Sequence, residues 1–196
     1  MAIAAVSASS RPEPKLTRQL LPNGVLGMLM FVFTEAMLFA GMISAHAIAK
    51  SGAQQWPPAD QPRLPLQTTL LNTIALLYSG VALLVAHMLW RTRPDRARLL
   101  LLAALLLGTF FVVFQGREWV ALIAQGLTLT SSAYGGFFYL IVGTHALHAV
   151  ASILGLAWAW QRLRTGRLTS EQFGTVAVFW YFVVLVWPVI YLQVYL

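Results

Sequence analysis

The sequence predicts an all-α integral membrane protein, in which five transmembrane helices form one bundle. Hydrophobic residues make up 59% of the 196 residues and charged residues only 10%, whereas an ordinary soluble domain carries about 25% charged residues. The mean hydropathy of +0.72 agrees with this class. Five apolar runs are long enough to cross a hydrocarbon core of about 30 Å as helices.

The positions of the spans follow from these apolar runs. The runs do not alternate polar and apolar residues, which disfavours a transmembrane barrel, and they lack the polar face of a soluble helix. We place the spans near Val25–Ala49, Leu66–Trp90, Leu99–Trp119, Ala133–Trp160 and Phe173–Leu196. The third is the shortest, because Arg117 and Glu118 lie at its end. Pro188 predicts a kink in the fifth unless packing compensates for the lost hydrogen bond.

Basic residues predict which way the spans run. Most of the 13 bases precede span one, or lie between spans two and three or four and five. Only Lys50, Arg63 and Arg117 lie on the other side. By the positive-inside rule, the N-terminus is cytoplasmic and the C-terminus lies outside. We therefore expect residues 1–22 to form a flexible, basic cytoplasmic tail and residues 23–196 to form a single transmembrane domain.

Composition excludes several functional classes. The chain has no cysteine, so disulfides, thiolate metal sites, iron–sulfur clusters and cysteine nucleophiles are excluded. The net charge of +7 is explained by topology signals beside anionic lipid, and no basic patch of the kind that binds nucleic acid is present. No Ser/His/Asp set or glycine-rich phosphate loop occurs. We expect no catalytic, cofactor-binding or metal-binding residue in this chain.

One carboxylate lies deep in the first span. Glu35 is ten residues into that span, which places it about 15 Å deep, near the midplane. An acid at that depth costs at least a few kcal/mol and should face protein or water. Two interpretations stay open: a protonated Glu35 that makes one structural hydrogen bond, or a titratable or conformationally important site.

Two histidines lie three residues apart near the middle of span four. His145 and His148 occupy neighbouring positions of one helix face, and the small residues Ala149 and Ser152 continue it. They could be neutral interior histidines that hydrogen-bond across the bundle, or members of a buried polar cluster with Glu35. Measured from the inner ends of their spans, Glu35 and His148 lie about 15 and 18 Å deep. Our hypothesis is therefore that these two side chains meet if spans one and four are adjacent.

The other histidines and acids lie near span ends. His46 and His87 lie at opposite ends of the membrane, so we interpret each as reaching toward an interface. No third histidine lies at the depth of the central pair, which disfavours a haem or a dinuclear metal site. Glu118 and Glu171 are interpreted as caps or surface charges. In the outer loop, residues 51–65, four prolines exclude a regular helix, and Trp56 lies where an interfacial aromatic residue is expected.

Five segments, in order along the chain, carry a family pattern. They are TEAMLFAG, WPP, LNTIALLYSGVALLVAH, LGTFFVVFQGREW and YGGFFYLIVGTHALH. The positions that match the pattern are Glu35, Trp56, Pro57, Asn72, Ser79, Gly80, His87, Gln115, Glu118, His145, His148 and Glu171. With these motifs the chain resembles subunit III of haem–copper respiratory oxidases, in the short form with five helices.

The resemblance implies an accessory, non-catalytic subunit of a cytochrome c or quinol oxidase complex. Such a subunit carries neither haem nor copper, which belong to partner subunits. It packs on the haem-bearing subunit I, assembles with subunit II and other subunits, binds phospholipid, and supports stability and proton uptake. The complex reduces oxygen and pumps protons in the bacterial inner membrane.

The chain also departs from the family pattern. Met88 replaces the second of two paired histidines in span two, and Tyr181 and Val184 replace a histidine and an aspartate in the last span. These departures put any role of the missing polar groups in doubt. Two alternatives therefore stay open: a nitric-oxide-reductase-associated relative of subunit III, and a small proton or solute transporter that uses Glu35 and the histidine pair.

Overall fold

The fold is a bundle of five α-helices. The structure is a computed structural model that describes residues 21–196. Its helices are α1 Asn23–Gly52, α2 Leu66–Leu89, α3 Pro94–Ala124, α4 Ala133–Arg164 and α5 Ser170–Ile190, followed by a π-helical turn, Tyr191–Tyr195. Each of the five α-helices is long and apolar enough to cross a membrane. The predicted tail falls almost wholly outside the described residues.

Helix α3 differs most from the expectation. With 31 residues it is not the shortest span; the shortest α-helix is α5, with 21 residues. It begins with Pro94 in its first turn, where the missing N–H has no intrahelical partner to lose. It also continues past Arg117 and Glu118, because the first is exposed and the second is hydrogen-bonded by α2. The two charges therefore do not end the helix.

Helix α5 is the centre of the bundle. It packs against α1, α2 and α4, while α2 and α3 form a closely packed antiparallel pair. Its Trp180 and Trp187 are fully buried. Helix α1 is peripheral, with only Phe39 and His46 buried. Because α1 buries so few side chains, a polar contact contributes a larger share of its attachment to the bundle than it would for the other helices.

A close approach between α3 and α5 explains one glycine. A Cβ atom at Gly108 would overlap the indole ring of Trp180, so only glycine fits here without displacing that ring. Trp180 Nε1 donates to Ser79 Oγ at 3.1 Å, and Ser79 Oγ donates to the carbonyl of Ala104 at 2.8 Å. These contacts tie α2, α3 and α5 together near the middle of the bundle.

Pro188 does not end the last helix. Helical structure continues through Ile190 and into the π-helical turn. Trp187, which precedes the proline, and Ile190, two residues after it, are both fully buried. The proline therefore lies within continuous helical structure, and the kink stays a prediction.

The connecting loops lie at two opposite ends of the bundle, and most of the basic residues lie at one of them. The start of α1, the α2–α3 loop and the α4–α5 loop lie at one end of the bundle, which we name the basic end. The α1–α2 loop, residues 53–65, and the α3–α4 loop, residues 125–132, lie at the other end, which we name the far end. Which end faces the cytoplasm stays a prediction.

Candidate functional site: a buried glutamate–histidine pair

A hydrogen bond joins α1 and α4 deep in the bundle. Glu35 Oε2 lies 3.0 Å from His148 Nε2, which is the contact that the matching depths predict. The side chains of Glu35 and His148 are 18% and 11% exposed, respectively. The glutamate therefore faces protein rather than lipid, as the cost of a carboxylate in hydrocarbon requires.

The second ring nitrogen determines how many protons the pair holds. His148 Nδ1 lies 2.7 Å from the carbonyl oxygen of Thr144, one helical turn earlier. Because a carbonyl oxygen only accepts, Nδ1 carries a hydrogen. Nε2 is then either an acceptor facing a protonated Glu35 or a donor facing a carboxylate. In both cases one proton lies between the two residues, and the pair has no net charge, which suits its low-dielectric surroundings.

Aromatic rings surround this pair. Phe39 on α1 packs edge-on against His148, with ring centroids 5.6 Å apart, and against Phe182 on α5 at 6.0 Å. Phe179 lies 6.1 Å from His148. The low-dielectric walls strengthen the hydrogen bond and make an unpaired partner costly.

His145 lies beside the pair without joining its hydrogen bond. It is 1% exposed, and its ring lies 4.9 Å from the Trp187 ring at an angle of 35°. Its Nε2 has no hydrogen-bond partner within residues 21–196. The predicted three-residue cluster is therefore a two-residue pair with a neighbour. Residues three apart on a helix differ by about 60° in direction, which turns His145 toward α3 and α5.

His46 is buried rather than directed to an interface. It is 2% exposed and packs edge-on against Trp56 at 5.4 Å and Phe137 at 5.7 Å. Trp56 also packs edge-on against Tyr134 at 5.3 Å. The expectation for His46 was wrong, because the loop that holds Trp56 folds over it and covers it. That loop is thereby fixed to both α1 and α4.

His87, at the basic end, is half-buried. Its ring lies 4.7 Å from that of Phe173, which opens α5. Phe173 also packs against Trp90 at 5.8 Å, at right angles. His87 therefore helps pack the end of α2 on the start of α5.

Glu118 takes part in a polar network near the far end. It accepts hydrogen bonds from Thr68 and from Thr69, the latter at 2.9 Å. Gln115 Nε2 lies 3.5 Å from Glu118 Oε2 and donates to Tyr195 Oη at 2.8 Å. The interpretation of Glu118 as a cap or surface charge was wrong, because the hydroxyl groups of Thr68 and Thr69 on the neighbouring helix α2 donate hydrogen bonds to it.

Asn72 extends the same network into the core. Its side-chain nitrogen donates to the carbonyl of Phe111 at 3.1 Å and to Gln115 Oε1 at 3.3 Å. Asn72 and Gln115 were singled out from the sequence, whereas Tyr195 was not. No sequence signal for Tyr195 was available, because its partner depends on how the last turn packs.

Glu171 caps a helix other than its own. Its Oε1 accepts a hydrogen bond from the backbone N–H of Gly24 at 2.6 Å, in the first turn of α1, whose own N-cap residue Pro22 offers no side-chain bond. Helix α5 is capped instead by Thr169 and Gln172, which form a capping box. The acid therefore satisfies a free N–H group of α1, 147 residues earlier in the chain.

Of the positions that depart from the family pattern, Val184 forms a buried apolar contact. Val184 is 5% exposed, and a Cβ atom built on Gly80 would lie 2.9 Å from its Cγ1. Met88 is 67% exposed. Tyr181 Oη has no hydrogen-bond partner among residues 21–196.

The described residues offer no ligand set for a metal. Within residues 21–196, no group of three or more His, Cys, Asp or Glu side chains is placed to hold an ion. The hydrogen bond between Glu35 and His148 supports the sharing of one proton and the tying of α1 to α4.

Comparison with known proteins identifies what the chain is similar to. The family model for cytochrome c oxidase subunit III matches residues 16–196. The protein named "Probable cytochrome c oxidase subunit 3" from Mycobacterium leprae is 30% identical over 179 residues, with 89% of this chain and 88% of the relative covered. The human "Cytochrome c oxidase subunit 3" is 32% identical over 179 residues, covering 86% of this chain and 67% of the relative. The counterpart in Nocardia farcinica is 30% identical over 182 residues, with 89% and 88% covered.

Proposed function

Since the chain belongs to the cytochrome c oxidase subunit III family and is an accessory subunit of a haem–copper oxidase, we propose that it packs on the haem-bearing subunit I and sustains that subunit during turnover. Its place is in a multisubunit oxidase complex, as a protein that crosses the membrane several times. Haem and copper belong to the partner subunits in this proposal. Subunit II and bound phospholipid complete its surroundings in the bacterial inner membrane.

The observation that carries the proposal is the hydrogen bond between Glu35 and His148. Helix α1 buries only two side chains, Phe39 and His46, so this bond is its main polar tie to α4. Removal of one partner leaves the other unpaired in a poorly solvated site, which typically costs about 1–3 kcal/mol. A subunit with α1 loosened in this way would lose its fixed shape at the surface that a neighbour contacts.

The neutrality of the pair supports a structural task. With one proton between its two members, the pair adds no net charge to the membrane interior in either arrangement of that proton. It can therefore fix two helices at mid-membrane depth without attracting ions. In this proposal the subunit supports proton uptake indirectly, by keeping the geometry of subunit I.

A test uses the assembled oxidase complex with Glu35→Ala. We expect a near-normal initial rate and normal haem content, but inactivation during turnover that is several-fold faster, because α1 is no longer held. Met37→Ala is the matched control, since Met37 lies on the same helix and is 61% exposed. A parallel loss of initial rate and haem content in Glu35→Ala would instead assign Glu35 to assembly or to the reaction of the complex.

A further inference from the structure

Tyr78 is a polar side chain on the outer surface of the bundle at mid-membrane depth. It is the thirteenth of the 24 residues of α2, about 17–18 Å from either end of the helix, and it is 64% exposed. Tyrosine is ordinarily enriched at the two membrane interfaces, where its hydroxyl group meets water. The centre of a bilayer holds no water that could take this role, so the phenol of Tyr78 needs another partner.

The other polar side chains in the middle of α2 are paired inside the bundle. Thr73 and Ser79 donate to backbone carbonyl oxygens at 2.7 and 2.8 Å, and Asn72 donates to another at 3.1 Å. Tyr78, whose side chain lies on the outside, forms no hydrogen bond within residues 21–196. Its hydroxyl group is therefore available to a neighbour of this chain.

A groove between α2 and α5 adjoins Tyr78. It has a volume of about 310 Å³ and is lined by leucine, valine, glycine and tyrosine side chains of the two helices. Val81, which lines it, lies three residues after Tyr78, so the two side chains are neighbours on the helix surface. Val81 on α2 and Leu185 on α5 are 56% and 68% exposed. The groove is therefore an open apolar surface with one polar group at its side.

The depth of Tyr78 decides between the possible occupants. A lipid carries its oxygen atoms outside the hydrocarbon core, so an acyl chain in the groove offers no acceptor to the phenol. A transmembrane helix does, because a backbone carbonyl has a second lone pair and Ser, Thr or Asn side chains bond across helices. The hydroxyl group of Tyr181, which also lines the groove, is covered, so Tyr78 is the group that a neighbour can reach.

We propose that Tyr78 and the adjoining groove form the docking site of a transmembrane helix from another subunit of the oxidase complex. An apolar side chain of that helix fills the groove, and an oxygen atom at the same depth accepts a hydrogen bond from Tyr78. This docking site depends on the proposed function, because it is the face by which the subunit is held in its complex.

Tyr78→Phe tests the hydrogen bond, since it removes the hydroxyl group and keeps the ring. Hydrogen bonds between membrane helices are modest, so the subunit should dissociate from the purified complex about three- to twentyfold faster on dilution into detergent. Thr109→Val is the matched control. Thr109 is exposed on α3, but its hydroxyl group donates to its own helix, to the carbonyl of Leu105 at 2.8 Å, so this variant should keep the wild-type rate. Equal rates for wild type and Tyr78→Phe would overturn the proposal.

A cross-link identifies the occupant of the groove. The chain has no cysteine, so Val81→Cys, labelled with a thiol-reactive photo-cross-linker in the native membrane, provides a single attachment point in this chain. Mass spectrometry of the peptide that contains position 81 should show an adduct with a transmembrane segment of another subunit. An adduct with lipid alone, or with a second copy of this chain, would overturn the proposal.

Co-purification separates this docking site from the proposed function. If the subunit co-purifies with the haem-bearing subunit and position 81 gives no adduct with any other subunit, the docking face is wrong while the proposed function stands. If the subunit does not co-purify with the haem-bearing subunit, both are wrong.

Discussion

Glu35 and His148 lie 113 residues apart in the chain, yet they share one proton across a hydrogen bond of 3.0 Å. The backbone carbonyl of Thr144 fixes which nitrogen of His148 faces the glutamate. The bond connects the peripheral helix α1 to α4, so its loss should be visible in both stability and orientation of α1.

Glu35→Gln should separate a structural tie from a proton relay. The glutamine amide can donate to His148 Nε2, so it keeps the tie but cannot exchange a proton. We expect the unfolding temperature and turnover lifetime of Glu35→Gln to stay close to those of wild type, whereas Glu35→Ala loses about 1–3 kcal/mol. Thermal unfolding of the purified complex measures this. Proton flux in liposomes that Glu35→Gln abolishes would support the transporter alternative instead.

Gly108→Ala should destabilise the bundle, because the added methyl group overlaps the ring of Trp180. Overpacking of this kind typically costs about 1–3 kcal/mol. Gly116→Ala on the same helix meets open space and should be neutral or gain up to about 1 kcal/mol from helix propensity. Thermal unfolding of the two variants side by side is the measurement. Equal stabilities would show that Trp180 moves aside freely.

Glu171→Ala should loosen the start of α1 rather than the start of α5. Loss of a cap costs about 0.5–2 kcal/mol, so amides in the first turn of α1 should exchange hydrogen about two- to thirtyfold faster. Hydrogen exchange followed by mass spectrometry resolves that peptide. Asp95→Ala is the control, since Asp95 forms a local ion pair with Arg98. Faster exchange confined to α5 would contradict the assignment of the cap.

His46→Ala should release the α1–α2 loop, because Trp56 packs on the His46 ring. We expect trypsin to cleave after the exposed Arg63 faster than in wild type, by several-fold. His87→Ala, at the opposite end of the bundle, should leave this rate unchanged. A rate that is the same in all three proteins would show that Trp56 is held by Tyr134 alone.

The sequence predicted properties that depend on one helix at a time. The number of spans followed from apolar length. The similar depths of Glu35 and His148 suggested their contact, but only on the condition that spans one and four are adjacent. The direction in which His145 points, the covering of His46 and the donors that reach Glu118 depend on which helix lies alongside. Neither hydropathy nor spacing contains that information, so those interpretations needed the packed bundle.

The hydrogen bond from Gly24 to Glu171 is another contact that the sequence alone could not predict. As a first-turn acid of α5, it looked like a cap for its own helix. Thr169 and Gln172 already serve that helix, so the carboxylate is free to serve α1. That α1 and α5 lie side by side depends on the tertiary packing, which no local sequence motif predicts.

The peripheral position of α1 has a consequence for biosynthesis. At a translation rate of about 5–20 residues per second, roughly ten seconds pass between synthesis of Glu35 and of His148. During that interval the nascent first helix carries an unmatched carboxyl group into the bilayer. Because an acid at the bilayer centre is costly, we expect the insertion machinery or an already folded neighbour to shelter that group until the fourth helix arrives.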